Sequence, residues 1–446
     1  MRILICSNAY PPNFIGGAEL VAHEQAKIFL ALGHKVRVFT GEILPNQNDR
    51  YKMRHFKHEG IDIFSIGLHA KDFSPEYINF FHDPVDLFFN HILDDFSPDI
   101  VHFHNIMGLS LKLPIIAKEK NIKTICTLHD FWGFCLRNTA IYIDNNICVN
   151  RNKCLTCLKH EYGDNKKYRH NKFRNDFIKF SFLHIDHFIS PSSFLKKEYI
   201  KNGLPENKIS HLQNGVNPLF ISNTLKGSKK TIISFVGYLG YHKGAIILLK
   251  ALQNIKTNKP IIVFIIGEGP QKEELEKYCQ INNINAQINF LGRVPSHQMP
   301  YFYRKTHILV LPSLWAENQP VSIMEAMASS CAVIASNIGG IPELLKENRG
   351  VTFTPGSYQE LTSKLEKLLH DPSHRAEISK NAHEAVQKIT YERQSQTLLC
   401  IYDDLLSKRR KISYHVNRLF FPKQKRVNEF NIPFTWLKYV DLKFKK

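Results

Sequence analysis

The chain has 446 residues, 43% hydrophobic and 22% charged, which excludes a disordered or fibrous chain and suffices for two domains with full cores. No apolar run approaches the ~18 residues of a membrane-spanning helix, and the apolar opening Met1–Cys6 is too short for a signal peptide, so a cytoplasmic location is expected. The formal charge of +19 favours anionic partners, a lipid surface or nucleic acid, and says nothing about fold.

Arg2 to Cys6 reads as a first buried strand, followed by a long loop with Pro11, Pro12 and the pair Gly16-Gly17. Leu20, Val21, Ile28, Phe29 and Leu32 recur at helical spacing over Ala18 to Leu32, Gly33 is the stop, and Lys35 to Thr40 is a second strand. This opening unit lacks the G-x-G-x-x-G of a dinucleotide site. Residues 71–96 are rich in aromatics, and the sequence predicts helical segments interrupted by Pro84. Asp99 to His104 and Thr124 to Leu128 are further parallel strands, the second running into His129 and Asp130. A histidine at the carboxyl end of such a strand is where an α/β enzyme places a cleft residue. His102 and His104, at strand spacing, are weaker cleft candidates.

Four of the nine cysteines, Cys135, Cys148, Cys154 and Cys157, fall within 23 residues and end in C-x-x-C. In a reducing compartment this favours one structural Zn²⁺ over disulfides, with four reduced thiols as the alternative. The strand ending at Ser190 feeds a helix from Phe194 to Lys201, and Ile209 to Leu212 leads to the turn Gln213-Asn214-Gly215. Residues 214–230, with Pro218 and a polar run, form a linker.

Thr231 to Val236 begins a second domain, and its loop Tyr238 to Gly244 carries Lys243. Strands at Ile261 to Ile266 and Ile288 to Leu291 follow, the latter leading to Val294. The all-apolar strand Ile308 to Leu311 ends in Pro312, and a loop holds Glu317, Asn318 and Gln319. Pro320 opens a helix at Val321, where its missing N–H costs nothing. Glu325 lies one turn inside on the face of the helix mouth, and Gly339-Gly340 follows the next strand, Cys331 to Ala335. Free N–H groups at Pro320 to Ser322 suit an anion, and a carboxylate one turn inside can accept from both hydroxyls of a ribose. The alternative is that both glutamates merely complement the helix N-terminus. Tyr358 to Leu369 and Ala376 to Ser407 read as helices. The tail 408–446 holds twelve Lys/Arg against Glu429 and Asp441, hence 12 − 2 = +10, among aromatics such as Phe420, Phe434 and Trp436. That mixture suits an anionic membrane surface, or equally a solvated end.

Pro312-Ser313, Glu317, Glu325-Ala326-Met327, Ala335-Ser336, Gly339-Gly340 and Glu343 together resemble the donor-binding segment of family 4 glycosyltransferases, which have the GT-B fold. Gly16-Gly17, the strand-end His129-Asp130, Lys243, Gly267-x-Gly269-Pro270 and Gly292-x-Val294 resemble further segments of that family. Ser330 and Ala332 stand where the family has Gly and Pro, and Tyr238 stands where it has Arg. The resemblance implies an α/β chain of two doubly wound, Rossmann-like domains facing a cleft. The acceptor-side domain would span 1–213 with a Cys-rich loop at 131–165, and the donor domain 231–385, before a crossover helix at 386–407.

It also implies retaining transfer of a sugar, from UDP in preference to GDP, to a saccharide or lipid-linked acceptor hydroxyl in bacterial-type surface polysaccharide, lipopolysaccharide or glycolipid assembly. Lys243 would hold the diphosphate, Glu317 the sugar, Glu325 the ribose and His129 the sugar from the opposite wall. Asp130 would orient His129 or bind acceptor. Gly16, Gly17, Val294, Asn318, Gln319, Pro320 and Val321 would complete the donor site. Catalysis requires no cofactor in this reading. A GT-B epimerase or phosphorylase is disfavoured by the donor segments, and nucleic-acid binding by the lack of a nucleic-acid module.

Overall fold

The computed structural model describes residues 1–412 apart from 14–15, 45–46, 70–71, 73–81, 144–147, 149–152, 163–170 and 223–229. Most of the tail and most of the segment 71–81 therefore lie outside the described residues.

The first half folds on strands β1 (Arg2–Ser7), β2 (Lys35–Ile43), β3 (Met53–His58), β4 (Ile61–Leu68), β5 (Ile100–Phe103), β6 (Lys123–Thr127), β7 (His187–Ser190) and β8 (Ile209–His211). Their spatial order is β3-β4-β2-β1-β5-β6-β7-β8, parallel except for the edge hairpin β3–β4. Ile3, Leu4, Ile5 and Cys6 are fully buried because helices cover both faces of the sheet, which is why β1 reads as a continuous apolar run. The edge hairpin turns through Glu59 and Gly60, both at positive φ, 46° and 82°.

The second half contains β9 (Thr231–Val236), β10 (Ile261–Ile266), β11 (Gln287–Gly292), β12 (Ile308–Leu311), β13 (Ala332–Ser336) and β14 (Val351–Phe353). This sheet is wholly parallel, ordered β11-β10-β9-β12-β13-β14. Its strand order reverses between β9 and β12, as the first sheet's does between β1 and β5. Ligands of doubly wound sheets bind beyond the strand ends at such crevices. Two Rossmann-like sheets in one chain are the GT-B architecture.

Two expectations need correction. Pro84 does not interrupt a helix; it sits in the first turn of helix Asp83–Phe96, where no N–H is required. The stretch 376–407 is not one helix but the end of Pro372–Val386 followed by Tyr391–Ile412. The chain breaks between them because Thr390 bridges to Val216 and Tyr391 lies against Gly215, where a Cβ would approach the Tyr391 nitrogen to 2.3 Å. After that break the second helix crosses back to the first domain. Its Leu398, Tyr402 and Leu405 pack into one core with Ile3, Ile5, Ala26 and Phe29.

Candidate active site

Four loops at carboxyl ends of strands meet between the sheets. They follow β1 and β6 on one side and β9 and β12 on the other. The loop after β9 closes as a short turn, Tyr241–Lys243, ended by Gly244 at φ 68°. A Cβ on Gly244 would lie 2.1 Å from the Pro312 carbonyl oxygen, so only glycine lets this loop touch the loop after β12. The contact delivers Lys243 to Glu317.

The Glu317 carboxylate is buried, and its Oε1 accepts from Lys243 Nζ at 2.6 Å, Ser313 Oγ at 2.7 Å and Trp315 Nε1 at 2.7 Å. Burial alone pushes its carboxyl up, but the Lys243 charge and these hydrogen bonds outweigh that and hold it below the usual range. Lys243 Nζ also lies 4.8 Å from the Trp315 ring centroid. Sequence reading gave Lys243 and Glu317 separate tasks; here they form one unit in which Glu317 aims the ammonium.

The Glu317–Asn318 backbone is pressed against the turn after β13. A Cβ on Gly340 would come within 1.9 Å of the Asn318 carbonyl oxygen, and Gly340 N–H donates to the Glu317 carbonyl at 2.7 Å. Asn318 Nδ2 reaches across to the first domain and donates to the His129 carbonyl at 2.6 Å. Gln319 is turned to the linker, where its Oε1 accepts from Asn214 N–H at 2.6 Å. Its side chain thus latches the domain junction.

Pro320 caps helix Val321–Ala328. Val321 meets Gly17 of the opposite domain so closely that a Cβ on Gly17 would lie 2.9 Å from Val321 Cγ2. The Gly16 N–H donates to Glu19 Oε2 at 2.9 Å and starts helix Gly17–Ala31.

Glu325 lines a cavity with Glu24, Asn217, Ser296, Val321 and Tyr391. Removal from water pushes its carboxyl up to about 8, with the neighbouring Tyr303 hydroxyl pulling it the other way. Glu24, from the first domain, is pushed up by burial against the pull of Lys27 and Asn217. Val294 is half-buried against the core under helix Val321–Ala328, and Ser296, two residues on, lines the cavity.

His129 follows β6 and stacks on His104, which follows β5, with ring planes 15° apart and His104 Nδ1 2.8 Å from His129 Nε2. Burial lowers His129 to about 4, so both imidazoles are neutral and share one proton in that contact. Asp130 therefore does not orient His129, as the sequence had suggested. Its Oδ1 caps the next turn by accepting from Trp132 N–H at 2.7 Å, and burial raises its carboxyl to about 7. His102 is fully buried away from the cleft, between Thr127 and the crossover helix, accepting or donating at 2.7 Å to each of Thr127 Oγ1 and Tyr402 OH.

Two family models together match residues 15–413: Glycosyltransferase Family 4 over residues 15–219 and Glycosyl transferases group 1 over residues 218–413. The chain belongs to the family 4 GT-B glycosyltransferases. An uncharacterised glycosyltransferase of Methanocaldococcus jannaschii is 24% identical over 411 residues, covering 89% of this chain and 95% of the relative. Sucrose-phosphate synthase from Thermosynechococcus elongatus superposes with a TM-score of 0.70 at 17% identity, covering 91% of this chain and 99% of that one. Anabaena HepE, solved with UDP-glucose, superposes with a TM-score of 0.62 at 16% identity over 92% and 100% of the two chains.

In this glycosyltransferase the roles of three residues escape a linear reading. Glu343 takes two backbone N–H groups across the domain junction, from Ser193 at 2.8 Å and Phe194 at 2.6 Å, and so caps helix Ser193–Lys201. His104 and Glu24 are the others. His104 left a trace as the second histidine of H-x-H at a strand end, and Glu343 as part of the segment that resembles the family; Glu24 left none. Tyr238, at the family's arginine position, is exposed and stacks on His242. Ser330 takes the left-handed backbone of the glycine it replaces, φ 52°, with its Oγ tied to the Ser222 carbonyl at 2.9 Å.

Proposed function

We propose that this glycosyltransferase moves a sugar from a UDP-sugar, with retention of anomeric configuration, to a hydroxyl of a saccharide or lipid-linked saccharide in bacterial-type surface polysaccharide, lipopolysaccharide or glycolipid assembly. The observation that carries this reading is the Lys243–Glu317 pair beside the mouth of helix Val321–Ala328, with Glu325 one turn inside. Lys243 and the helix mouth offset the charge that develops on the departing diphosphate. Glu325 accepts from the ribose hydroxyls. Backbone groups between Val294 and Ser296 face the base edge, and His129 contacts the transferred sugar from the opposite wall. With Tyr238 in place of a second cation, Lys243 carries the side-chain charge on the diphosphate.

The preference for UDP is supported by the fold shared with the HepE complex with UDP-glucose. The tail's +10 and its aromatics support a peripheral position on the inner face of the cell membrane, where lipid-linked acceptors reside. The reading is tested by NMR of the product formed from an α-linked UDP-sugar and a saccharide acceptor. An α-anomeric product is expected; a β-anomeric product rejects retention.

A further inference from the structure

The four clustered cysteines remain outside the donor site, and the fold brings them together. Cys135, Cys148, Cys154 and Cys157 all line one cavity, whose other walls are Phe134, Leu136, Ala140, Ile141, Leu158 and Arg137. Two precede the helix: Cys135, whose N–H donates to the Phe131 carbonyl at 2.8 Å, and Cys148, whose N–H donates to the Ala140 carbonyl at 2.7 Å. The other two lie one turn apart at the start of helix Cys154–Tyr162. Each of the four carries a thiol and not a disulfide. Arg137 Nη1 donates to Cys157 Sγ at 3.4 Å, the contact that offsets negative charge on a thiolate.

We propose that these four cysteines hold one structural Zn²⁺. Four soft donors lining one largely apolar cavity match the ligand set of a closed tetrahedral site. Binding converts up to four thiols to thiolates and releases their protons to solvent. The resulting complex carries two net negative charges, next to Arg137. Among the described residues, the group whose ligand atoms already lie within 4.8 Å of one another is His23, His58 and Glu59. There Lys27 Nζ sits 2.9 Å from Glu59 Oε2 and occupies the place of a cation. The four cysteines are not among the groups whose ligand atoms lie that close, so metal binding draws their side chains together within the cavity they line.

The consequence reaches the cleft. Cys135 is four residues from Phe131, whose carbonyl its N–H engages, and Phe131 directly follows His129-Asp130. Arg174, fully buried, donates to the Trp132 carbonyl from below. A metal at the cysteines therefore pins the loop after β6 through Cys135. It is a positioning site and takes no part in the transfer.

The test is metal analysis of the full chain purified under reducing conditions, together with UDP-glucose binding measured on the same samples. About one Zn²⁺ per chain is expected, released by a mercurial reagent, and Co²⁺ exchange should give thiolate-to-metal charge-transfer bands. Cys154→Ser/Cys157→Ser should lose about tenfold or more of the metal. Wild-type protein that stays metal-free after Zn²⁺ supplementation, with all four thiols reactive, overturns the inference. So does metal that survives in the double variant and disappears in His23→Ala. Because this site stands apart from the donor reading, intact nucleotide binding without metal sinks only the zinc, and zinc without nucleotide binding sinks only the donor site.

Discussion

Glu325 gives the sharpest quantitative consequence of the site. In the proposed role both ribose hydroxyls donate to Glu325, which favours the ionised carboxylate, yet burial raises it to about 8. In that role a nucleotide sugar drives a proton off as it binds. The apparent Kd is multiplied by 1 + 10^(pKa − pH), which is about 11-fold at pH 7, about 100-fold at pH 6 and close to one above pH 9. Affinity thus rises as pH rises, with about one proton released per ligand below the pKa. Isothermal titration with UDP-glucose measures this cleanly, because its diphosphate is a diester that does not titrate in the range. Glu24 lines the same cavity and is also pushed up, so Glu325→Gln separates the two. The variant should bind more weakly at high pH and lose the slope. A flat wild-type profile, or a slope that survives in Glu325→Gln, refutes the ribose role.

Lys243→Met leaves Glu317 buried with Ser313 and Trp315 alone as donors. With both side chains of the pair under a fifth exposed, 18% and 8%, the lost partner should cost about 3 kcal/mol in denaturant unfolding. Turnover should fall about 10²- to 10³-fold, from loss of charge on the leaving group; unchanged kcat contradicts that role. Gly340→Ala drives a methyl into the Asn318 carbonyl and should cost about 2 kcal/mol, with weaker UDP-glucose binding as the Glu317 loop is displaced. Equal stability and affinity would show that the loop yields freely. Deletion of 413–446 should weaken binding to phosphatidylserine vesicles and leave UDP-glucose affinity unchanged; equal vesicle binding counts against the membrane role of the tail.

Much of the fold is legible because buried parallel strands are short apolar runs between turn signals. Ile261–Ile266 and Ile308–Leu311 read residue for residue. The hairpin of β3 and β4 does not, because β3 is an edge strand whose burial never exceeds half-buried and whose side chains are largely polar. Its Glu59-Gly60 turn was the available signal. The two-helix ending was hidden because the break comes from a distant contact with Gly215 and Val216, not from a local breaker.

In the site, the carboxylates and Lys243 were singled out by loop and helix-mouth positions together with the family resemblance. Their pairing was not, since it depends on Gly244 seating one loop on Pro312. The partner of His129 depends on strand register: β5 and β6 pair Phe103 with Cys126, which brings the residues just beyond each strand together. Asp130, adjacent in sequence, was the wrong choice because its side chain turns back to cap its own loop. Glu343 caps a helix 150 residues away, a relation no local pattern carries.

The most direct measurement of the central claim is release of nucleoside diphosphate from a panel of UDP- and GDP-sugars, with and without saccharide acceptors. UDP should appear from at least one UDP-sugar, faster with acceptor, and the release should collapse in Lys243→Met. No nucleoside diphosphate from any donor, with tight salt-dependent binding of DNA or RNA instead, would contradict it.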